Sequence, residues 1–295
     1  MTRFDKSVIG SMADLHVSSR VATVSDVMTG WVITVAPSDS LLKARDVMTQ
    51  NRASQLVVAD QRNRPIGLIS KRDIARFLLD DNTTRSLEEI QVSEASSTSI
   101  PTMRADVSVL NAARMFDTDN LAYAVVTNDN PLSGITTETD LCHYFSQKWP
   151  GKFKVTDFMR RDFIFAKSSY SVVHVAHAVV FRQPSVPVID EELVGILTLS
   201  DILSIREKIL EGTTNSFHSS SKAELALVTT KDLMTRNPIT IDEGADLAQA
   251  AQILINKGVG SLPVIDSESK VVGLITKHDI VKALGQIDRS LILEA

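Results

Sequence analysis

Hydrophobic and polar residues follow each other along this chain in a pattern that recurs four times. Each copy has a short β-branched stretch, an apolar run at helical spacing, and two short apolar runs separated by a polar turn. Leu41, Ala44, Val47 and Met48, for example, fall at helical spacing and would form one apolar face. A further helical pattern ends each copy. The pattern therefore predicts the order strand, helix, strand, strand, helix.

The last part of each copy contains the same motif. A Gly is followed three residues later by Ser or Thr and six residues later by Asp, with an aliphatic residue after the Asp. The four copies begin at Gly67, Gly134, Gly195 and Gly273. Because a regular internal repeat determines architecture before any local propensity does, we expect an α/β (α+β) protein built from four β-α-β-β-α repeats.

Ser or Thr followed three residues later by Asp is also typical of a helix capping box. The hydroxyl would accept a hydrogen bond from a backbone amide at the start of the last helix. These side chains are here called the motif hydroxyl and the motif aspartate. They are Ser70 and Asp73, Thr137 and Asp140, Thr198 and Asp201, and Thr276 and Asp279.

One such repeat of roughly 60 residues is marginal for independent stability, so repeats should pair. We predict a tail at residues 1–22, a first pair at 23–150 and a second pair at 151–295. The boundary is placed near Trp149-Pro150-Gly151, since Pro and Gly end the preceding helix. The repeats would cover about 23–82, 90–149, 153–210 and 228–288, and the polar stretch 211–227 is expected to be a mobile loop.

The fourfold motif in this setting resembles the CBS-domain family. Three copies also open with Asp-x-Met, ending at Met28, Met159 and Met234, whereas the second has Glu94-Ala-Ser96. The resemblance covers about residues 23–288. It implies that repeats pair sheet to sheet as pseudo-twofold Bateman modules with two clefts each, so four repeats imply two tandem modules.

The resemblance also implies a ligand. In the family, the motif hydroxyl and motif aspartate contact the ribose of adenosine ligands, and the backbone of the first strand contacts the adenine edge. We therefore expect AMP, ADP, ATP or S-adenosylmethionine as a regulatory ligand between paired repeats, with no cofactor required. A helix N-terminus additionally offers free amides and a partial positive charge to a phosphate.

The four copies are unequal. Repeats one and four carry the fullest pattern, and their candidate ligand-binding residues are Thr34, Ser70, Lys71, Arg72, Asp73, Thr240, Thr276, Lys277, His278 and Asp279. The weaker candidates in repeats two and three are Thr102, Thr137, Asp140, Thr198 and Asp201. Repeat two has Glu138, which would repel a phosphate. Repeat three has Ala166 in place of the first-strand Thr, and Leu199 in the motif.

Family members that bind phosphates often have Arg or His just before the second strand. This chain has Gln55, Tyr123, Ser185 and Ser261 there. The ligand would then carry few phosphates, as AMP or S-adenosylmethionine does, or its phosphates would meet Lys71, Arg72, Lys277 or cations of the facing repeat.

Composition restricts the class of protein. A net charge of -5 and a pI near 5.7 argue against a general nucleic-acid surface, and a DNA-binding regulator would need a helix-turn-helix or zinc element for which the chain has no room. No apolar run approaches the roughly 18 residues of a membrane span, and residues 1–20 lack the apolar core of a signal peptide. We expect a cytoplasmic protein that does not bind membranes.

Other chemistry is weakly indicated. Cys142 is expected to be a buried structural thiol. His174 and His177 lie at helical spacing, but no third metal ligand is suitably spaced. The recurring methionines are expected to fill gaps in the core. No P-loop or nucleophile motif is present, so an enzyme is not expected.

These observations favour a non-enzymatic regulatory or sensor protein that signals to an unidentified protein partner. The alternative is a structural or adaptor scaffold with empty clefts that mediates oligomerisation or partner binding. Helix faces such as Ile74, Phe77 and Leu78, or Ile280, Ala283 and Leu284, need partners. The modules are therefore expected to form a disk of four repeats within one chain, or a homodimer.

Overall fold

The computed structural model describes residues 22–80, 85–128, 132–204 and 228–287. The expected polar loop at 211–227 and all but the last residue of the expected tail lie outside these ranges. Repeat one contains α1 (Val24–Val27), β1 (Thr34–Val35), α2 (Leu41–Gln50), β2 (Gln55–Ala59), β3 (Pro65–Ser70) and α3 (Lys71–Asp80). Repeat two contains α4 (Val92–Ala95), β4 (Thr102–Arg104), α5 (Val109–Thr118), β5 (Tyr123–Thr127), β6 (Gly134–Thr137) and α6 (Glu138–Lys148).

The second half repeats this order. Repeat three contains α7 (Val155–Phe158), α8 (Val172–Phe181), β7 (Ser185–Ile189), β8 (Leu193–Thr198) and α9 (Leu199–Leu203). Repeat four contains α10 (Thr230–Leu233), β9 (Thr235–Arg236), β10 (Ile241–Asp242), α11 (Leu247–Asn256), β11 (Ser261–Ile265), β12 (Val271–Thr276) and α12 (Lys277–Gln286). The predicted fold class, with its fourfold repeat of strands and helices, is confirmed.

The described residues form four three-stranded sheets, one for each repeat. In repeats one, two and four the first strand is parallel to the second, and the second is antiparallel to the third. The antiparallel pair is a hairpin, and in repeats one and four its turn carries a residue at positive φ, Asn63 and Ser269. The strand order predicted from the apolar runs is therefore confirmed in these three repeats.

Repeat three departs from the prediction. The strand expected at Phe163–Ala166 is reduced to a single bridge between Ala166 and Val188. The side-chain amide of Gln183 accepts a hydrogen bond from the Ile164 amide and donates one to the Ile164 carbonyl, both at 2.8 Å. Gln183 thus takes the place of a strand neighbour for Ile164.

The Asp-x-Met openings form one-turn helices, which the sequence pattern did not predict. Asp26 accepts a hydrogen bond from the Thr23 amide at 2.7 Å, and Asp232 accepts one from the Thr229 amide at 2.9 Å. In repeat two, Glu94 replaces the Asp and accepts from the Gln91 amide at 3.0 Å. A carboxylate near a helix N-terminus is favourable, which explains the acidic residue of this opening.

The segment after each opening crosses to the third strand of the paired repeat. Thr29 bridges to Ile135, Ser97 to Leu68, and Arg160 to Leu274. The same crossing in repeat four is a short strand, β9, which pairs with β8 of repeat three. Each pair of repeats is therefore interleaved, since each supplies the edge of the other's sheet.

The sheets of repeats one and two face each other across a small apolar cluster of Val57, Leu68, Val125 and Ile135. Between repeats three and four, the hydroxyls of Ser185 and Ser261 are buried and hydrogen-bonded to each other.

The helices carry the two main cores, and each core joins one repeat from either half of the chain. One core joins repeats two and four and includes Phe116, Phe145 and Leu254, and the other joins repeats one and three. Ile280, Ala283 and Leu284 are fully buried in the first core, and Ile74 in the second. The helix faces that needed partners thus find them within the chain, which gives a disk of four repeats.

Contact between α12 and α5 is especially close. A Cβ at Gly285 would lie 3.3 Å from the Arg114 backbone nitrogen, and the Arg114 side chain donates to the carbonyls of Gly285 and Ile287 at 2.8 and 3.0 Å. Arg114 therefore caps the C-terminus of α12, where a cation is favourable.

In the described ranges, no helix combines the length and apolar composition that a membrane span needs.

Candidate functional site

All four motif pairs lie at a strand-to-helix junction, and the predicted hydrogen bond from the Asp amide to the motif hydroxyl is present in repeats one, two and four. Oδ2 of each motif aspartate accepts hydrogen bonds from the backbone amide and the hydroxyl of its partner. In repeat four these distances are 2.9 and 2.6 Å. Asp279 and Thr276 are both buried there. This arrangement fixes the carboxylate at the first turn of α12.

In repeats two, three and four, the other oxygen, Oδ1, faces the segment that crosses over from the paired repeat. It accepts from the residue directly after the opening, here called the linker residue. The contacts are Thr29 to Asp140 at 3.2 Å, Thr235 to Asp201 at 3.1 Å, and Arg160 Nε to Asp279 at 2.9 Å. Three motif aspartates thus contact both repeats of their pair. Burial raises the pKa of Asp140.

A cavity of about 470 Å³ opens beside Asp279. Its lining joins the start of α12 in repeat four to α7 and the linker residue of repeat three. Arg160, His278, Asp279 and Lys282 are among its polar residues, and Phe158 and Met159 provide apolar surface. Asp117 and Asp157 add two further carboxylates to the lining. Acidic and basic groups beside an apolar wall suit a polar ligand with an aromatic ring.

His278 contacts two acidic residues of repeat two. Its Nδ1 lies 3.0 Å from Glu138 Oε1, and its Nε2 lies 3.6 Å from Asp117 Oδ1. The hydrogen bond to Glu138 raises the pKa of His278, although burial opposes the shift. His278 therefore links α12 to α5 and α6, and Glu138 is paired with it across the disk.

Lys71 and Lys277 approach each other where the four motifs meet. Lys71 Nζ donates to Ser200 of repeat three at 3.2 Å, and Lys277 Nζ donates to Thr139 of repeat two at 2.9 Å. Burial lowers the pKa of Lys71, and the positive charge of Lys277 lowers it further. The pair forms a partly buried cationic centre.

The candidates in repeat one lie near repeat two. Burial raises the pKa of Tyr123 to about 12, and the charge of Asp73 adds to this effect while Arg72 opposes it. Ser70 Oγ donates to Asp73 at 2.6 Å. Arg72 is exposed. Asp73, Arg72 and the Tyr123 phenol thus share one neighbourhood.

The first-strand threonines occupy different environments. Thr34 is half-buried in β1 opposite Val57. Thr102 is exposed in β4. Thr240, which we expected on the first strand of repeat four, is half-buried and directly precedes β10.

The structure also shows the surroundings of Cys142 and of the two histidines that were considered as metal ligands. Cys142 is fully buried and its thiol lies 3.4 Å from the Lys277 carbonyl; burial raises its pKa well above the ordinary value, with a smaller contribution from Glu138. His174 and His177 are exposed on α8, and the His177 ring packs on Phe181. Among the described residues, no three metal-binding side chains come together.

Sequence reasoning missed several residues of this site. Arg160 lies 119 positions from Asp279 in the chain, and Thr139 and Ser200 are motif residues whose hydroxyls only the folded disk brings to the lysines. One available signal was the linker residue itself, which is Thr after Met28 and Met234 but Arg after Met159.

Comparison with known proteins gives a consistent family match. A model of the family described as the CBS domain matches residues 24–80, 92–147, 155–208 and 231–286. These four segments make up more than half of the chain, and each contains one copy of the motif.

Individual relatives extend the match. An uncharacterised protein of Methanocaldococcus jannaschii, MJ1225, is 27% identical over 268 residues, which cover 85% of this chain and 94% of the relative. A crystal structure of MJ1225, described as a candidate archaeal homologue of g-AMPK, aligns with a TM-score of 0.76 at 25% identity and covers 89% of this chain and 99% of that one. The chloroplastic CBS domain-containing protein CBSX1 of Arabidopsis thaliana is 31% identical over 159 residues, 48% of this chain and 67% of the relative.

Proposed function

Because the chain belongs to the CBS-domain family, we propose that it is a non-enzymatic regulatory protein that binds an adenosine ligand between paired repeats. The ligand class comprises AMP, ADP, ATP and S-adenosylmethionine, and no cofactor is needed. The similarity to MJ1225 supports this proposal, since it extends over four repeats and nearly the whole of a protein described as a candidate g-AMPK homologue.

The observation that carries the proposal is the position of Asp279. Its Oδ2 is used by the cap, while Oδ1 accepts one hydrogen bond, from Arg160. A carboxylate has about four acceptor positions, so Oδ1 retains capacity for a ribose hydroxyl from the cavity side. The burial that would oppose a free carboxylate is offset by these fixed donors.

The cationic centre formed by Lys71 and Lys277 suits the phosphate of a nucleotide. Lys71 and Lys277 have like charges, and the repulsion between them is one cause of the lowered pKa of Lys71. A phosphate placed between them would relieve this repulsion. We therefore propose that these lysines attract the phosphate of a nucleotide, although Lys71, Lys277 and Thr240 are not among the residues that line the cavity beside Asp279.

Ligand binding would also couple the two halves of the disk. The cavity is lined by α7 and α12 of the second half and by Asp117 of the first. A ligand acts as a switch only if it binds one arrangement more tightly, and a coupling free energy of roughly 1 to 3 kcal/mol is typical. The proposed signal is a change in how repeat two packs on repeat four.

A scaffold without a ligand is the second candidate function. It is favoured by the hydrogen bonds that already satisfy the motifs: Asp140 and Asp201 use both oxygens, and both lysines donate to hydroxyls of the facing repeat. In this case the motifs would only stabilise the disk.

A thermal-shift screen with AMP, ADP, ATP and S-adenosylmethionine separates the two. A ligand at about 100 times its dissociation constant stabilises the folded state by roughly 2.7 kcal/mol, so at least one compound should raise the melting temperature. Guanosine monophosphate serves as the control for a non-specific phosphate effect. If none of the adenosine compounds gives a shift beyond that control, the scaffold is favoured.

A further inference from the structure

The linker residue differs in charge between otherwise equivalent sites. Thr29 and Thr235 place a neutral hydroxyl on the motif aspartates of repeats two and three. In repeat four the equivalent contact comes from the guanidinium of Arg160. The linker thus supplies a neutral donor to the motif aspartate in the first two sites and a charged donor in the third.

The geometry of Arg160 leaves it able to bind more than Asp279. Within the described ranges, its Nε–H is the donor that contacts Asp279, at 2.9 Å, and the side chain is 39% exposed while Asp279 is 5% exposed. A guanidinium has five N–H donors in a planar fork. Arg160 also lines the cavity, so the other donors of its guanidinium can serve a ligand there.

The cavity is lined by three carboxylates, of Asp117, Asp157 and Asp279, and by the cations Arg160 and Lys282 with the ring of His278, so what distinguishes this site is the position of Arg160 beside Asp279 and not a net positive charge. Asp117 faces His278, and Asp157 accepts a hydrogen bond from the Lys154 amide at 3.2 Å at the start of α7. Lys282 lines the same cavity and adds a second cation.

We propose that Arg160 makes the repeat-four cavity selective for an adenosine ligand whose 5′ group is anionic, such as a phosphate, over one whose 5′ group is cationic, such as the sulfonium of S-adenosylmethionine. The inference rests on the proposed function, in which the ribose is held by Asp279. The 5′ substituent then lies within a few ångströms of the carboxylate and of the guanidinium beside it. A guanidinium pairs well with phosphate oxygens and repels a sulfonium.

The experiment is calorimetric titration of the full chain with AMP, adenosine and S-adenosylmethionine. Arg160→Thr gives repeat three the linker residue that repeats one and four have, Thr29 and Thr235. We expect it to weaken AMP binding tenfold or more while changing adenosine binding by less than threefold. The preference for AMP over S-adenosylmethionine should fall by at least the same tenfold factor.

Two further variants make the test specific. Arg160→Gln keeps a hydrogen-bond donor for Asp279 without the charge, so it should show the same loss of preference even if Arg160→Thr folds poorly. Arg161→Thr removes the neighbouring guanidinium, which bonds to Thr156 instead, and should leave the preference within about twofold.

The outcomes distinguish this inference from the function on which it rests. If AMP binds to the unaltered chain but the preference is unchanged in Arg160→Thr and Arg160→Gln, the inference is wrong and the proposed function stands. If none of the three compounds binds to the unaltered chain, the proposed function fails, and the inference fails with it.

Discussion

At each motif glycine, atoms of the paired repeat fill the space that a side chain would need. A Cβ at Gly134 would lie 2.9 Å from the Met28 sulfur and 2.9 Å from the Thr29 carbonyl oxygen. Gly273 is approached in the same way by Met159 and Arg160. The Met of one repeat therefore packs against the Gly of its partner, which explains why both residues recur in the sequence.

The chain consequently should not tolerate a larger residue at this position. Gly134→Ala should destabilise the fold by about 1 to 3 kcal/mol, because the Cβ overlaps a backbone carbonyl that is held in the sheet. Gly244→Ala is the matched control, since a Cβ there meets nothing within 4 Å. Urea unfolding of both variants measures the difference, and equal stabilities would show that the linker can move aside at little cost.

At this scale the sequence predicted the caps but not the contacts between repeats. Ser or Thr with Asp three residues later is a local pattern, and the expected hydrogen bond from the Asp amide to the hydroxyl is present in repeats one, two and four. In all four repeats the hydroxyl also donates to the Asp carboxylate. The contact of Arg160 with Asp279 depends on the crossing segment, whose partner is set by the pairing of whole repeats. Spacing within one repeat contains no information about it.

Among the elements, α12 is tied to α6 by an ion pair that depends on pH. Glu138 raises the pKa of His278, with smaller contributions from Asp279 in the same direction and from Arg160 in the opposite direction. Since the folded pKa is raised, the stabilisation is fully present below the unfolded value of about 6.5 and is lost as the pH rises through the folded pKa.

We predict that Glu138→Gln lowers the free energy of unfolding more at pH 5.5 than at pH 8.5. The additional loss at low pH should be about 1 to 2 kcal/mol, as expected for a hydrogen bond to a charged group. Glu268→Gln, which alters an exposed pair with Lys270, should show no such difference. A loss of the same size at both pH values would mean that His278 does not become charged in the folded protein.

The elements also show where sequence patterns fail. The first strand of repeat three was expected from its β-branched and aromatic residues, yet the Gln183 side chain bonds to Ile164 there. The one-turn helices at the openings were missed because four residues are too few for a helical period to be recognised. The longer helices and hairpins were predicted because each repeats its pattern four times.

For the whole molecule, we propose that the chain divides into repeat pairs at 23–150 and 151–295, although its main cores run across this division. Phe116 and Phe145 of one half share a core with Leu254, Ile280 and Leu284 of the other. Each half alone would expose this apolar surface, and exposure of buried side chains costs roughly 1.5 to 3 kcal/mol for each large one.

Separately produced halves should therefore associate. Mixing 23–150 with 151–295 is expected to give a one-to-one complex, with self-association of each half when the other is absent. Light scattering measures both. If both halves remain monomeric and do not bind each other, the packing of four repeats into one disk is wrong.

The central claim is that Asp279 holds the ribose of an adenosine ligand, and calorimetric titration of Asp279→Asn with AMP tests it most directly. Asn retains much of the capping ability but loses the charge, and hydrogen bonds to charged groups are worth roughly 1.5 to 3 kcal/mol. We predict that AMP binding weakens tenfold or more in Asp279→Asn, whereas Asp201→Asn in repeat three changes it by less than threefold. Unchanged affinity in Asp279→Asn, and also in the matching Asp73→Asn, would contradict the account and leave the motifs as structural caps.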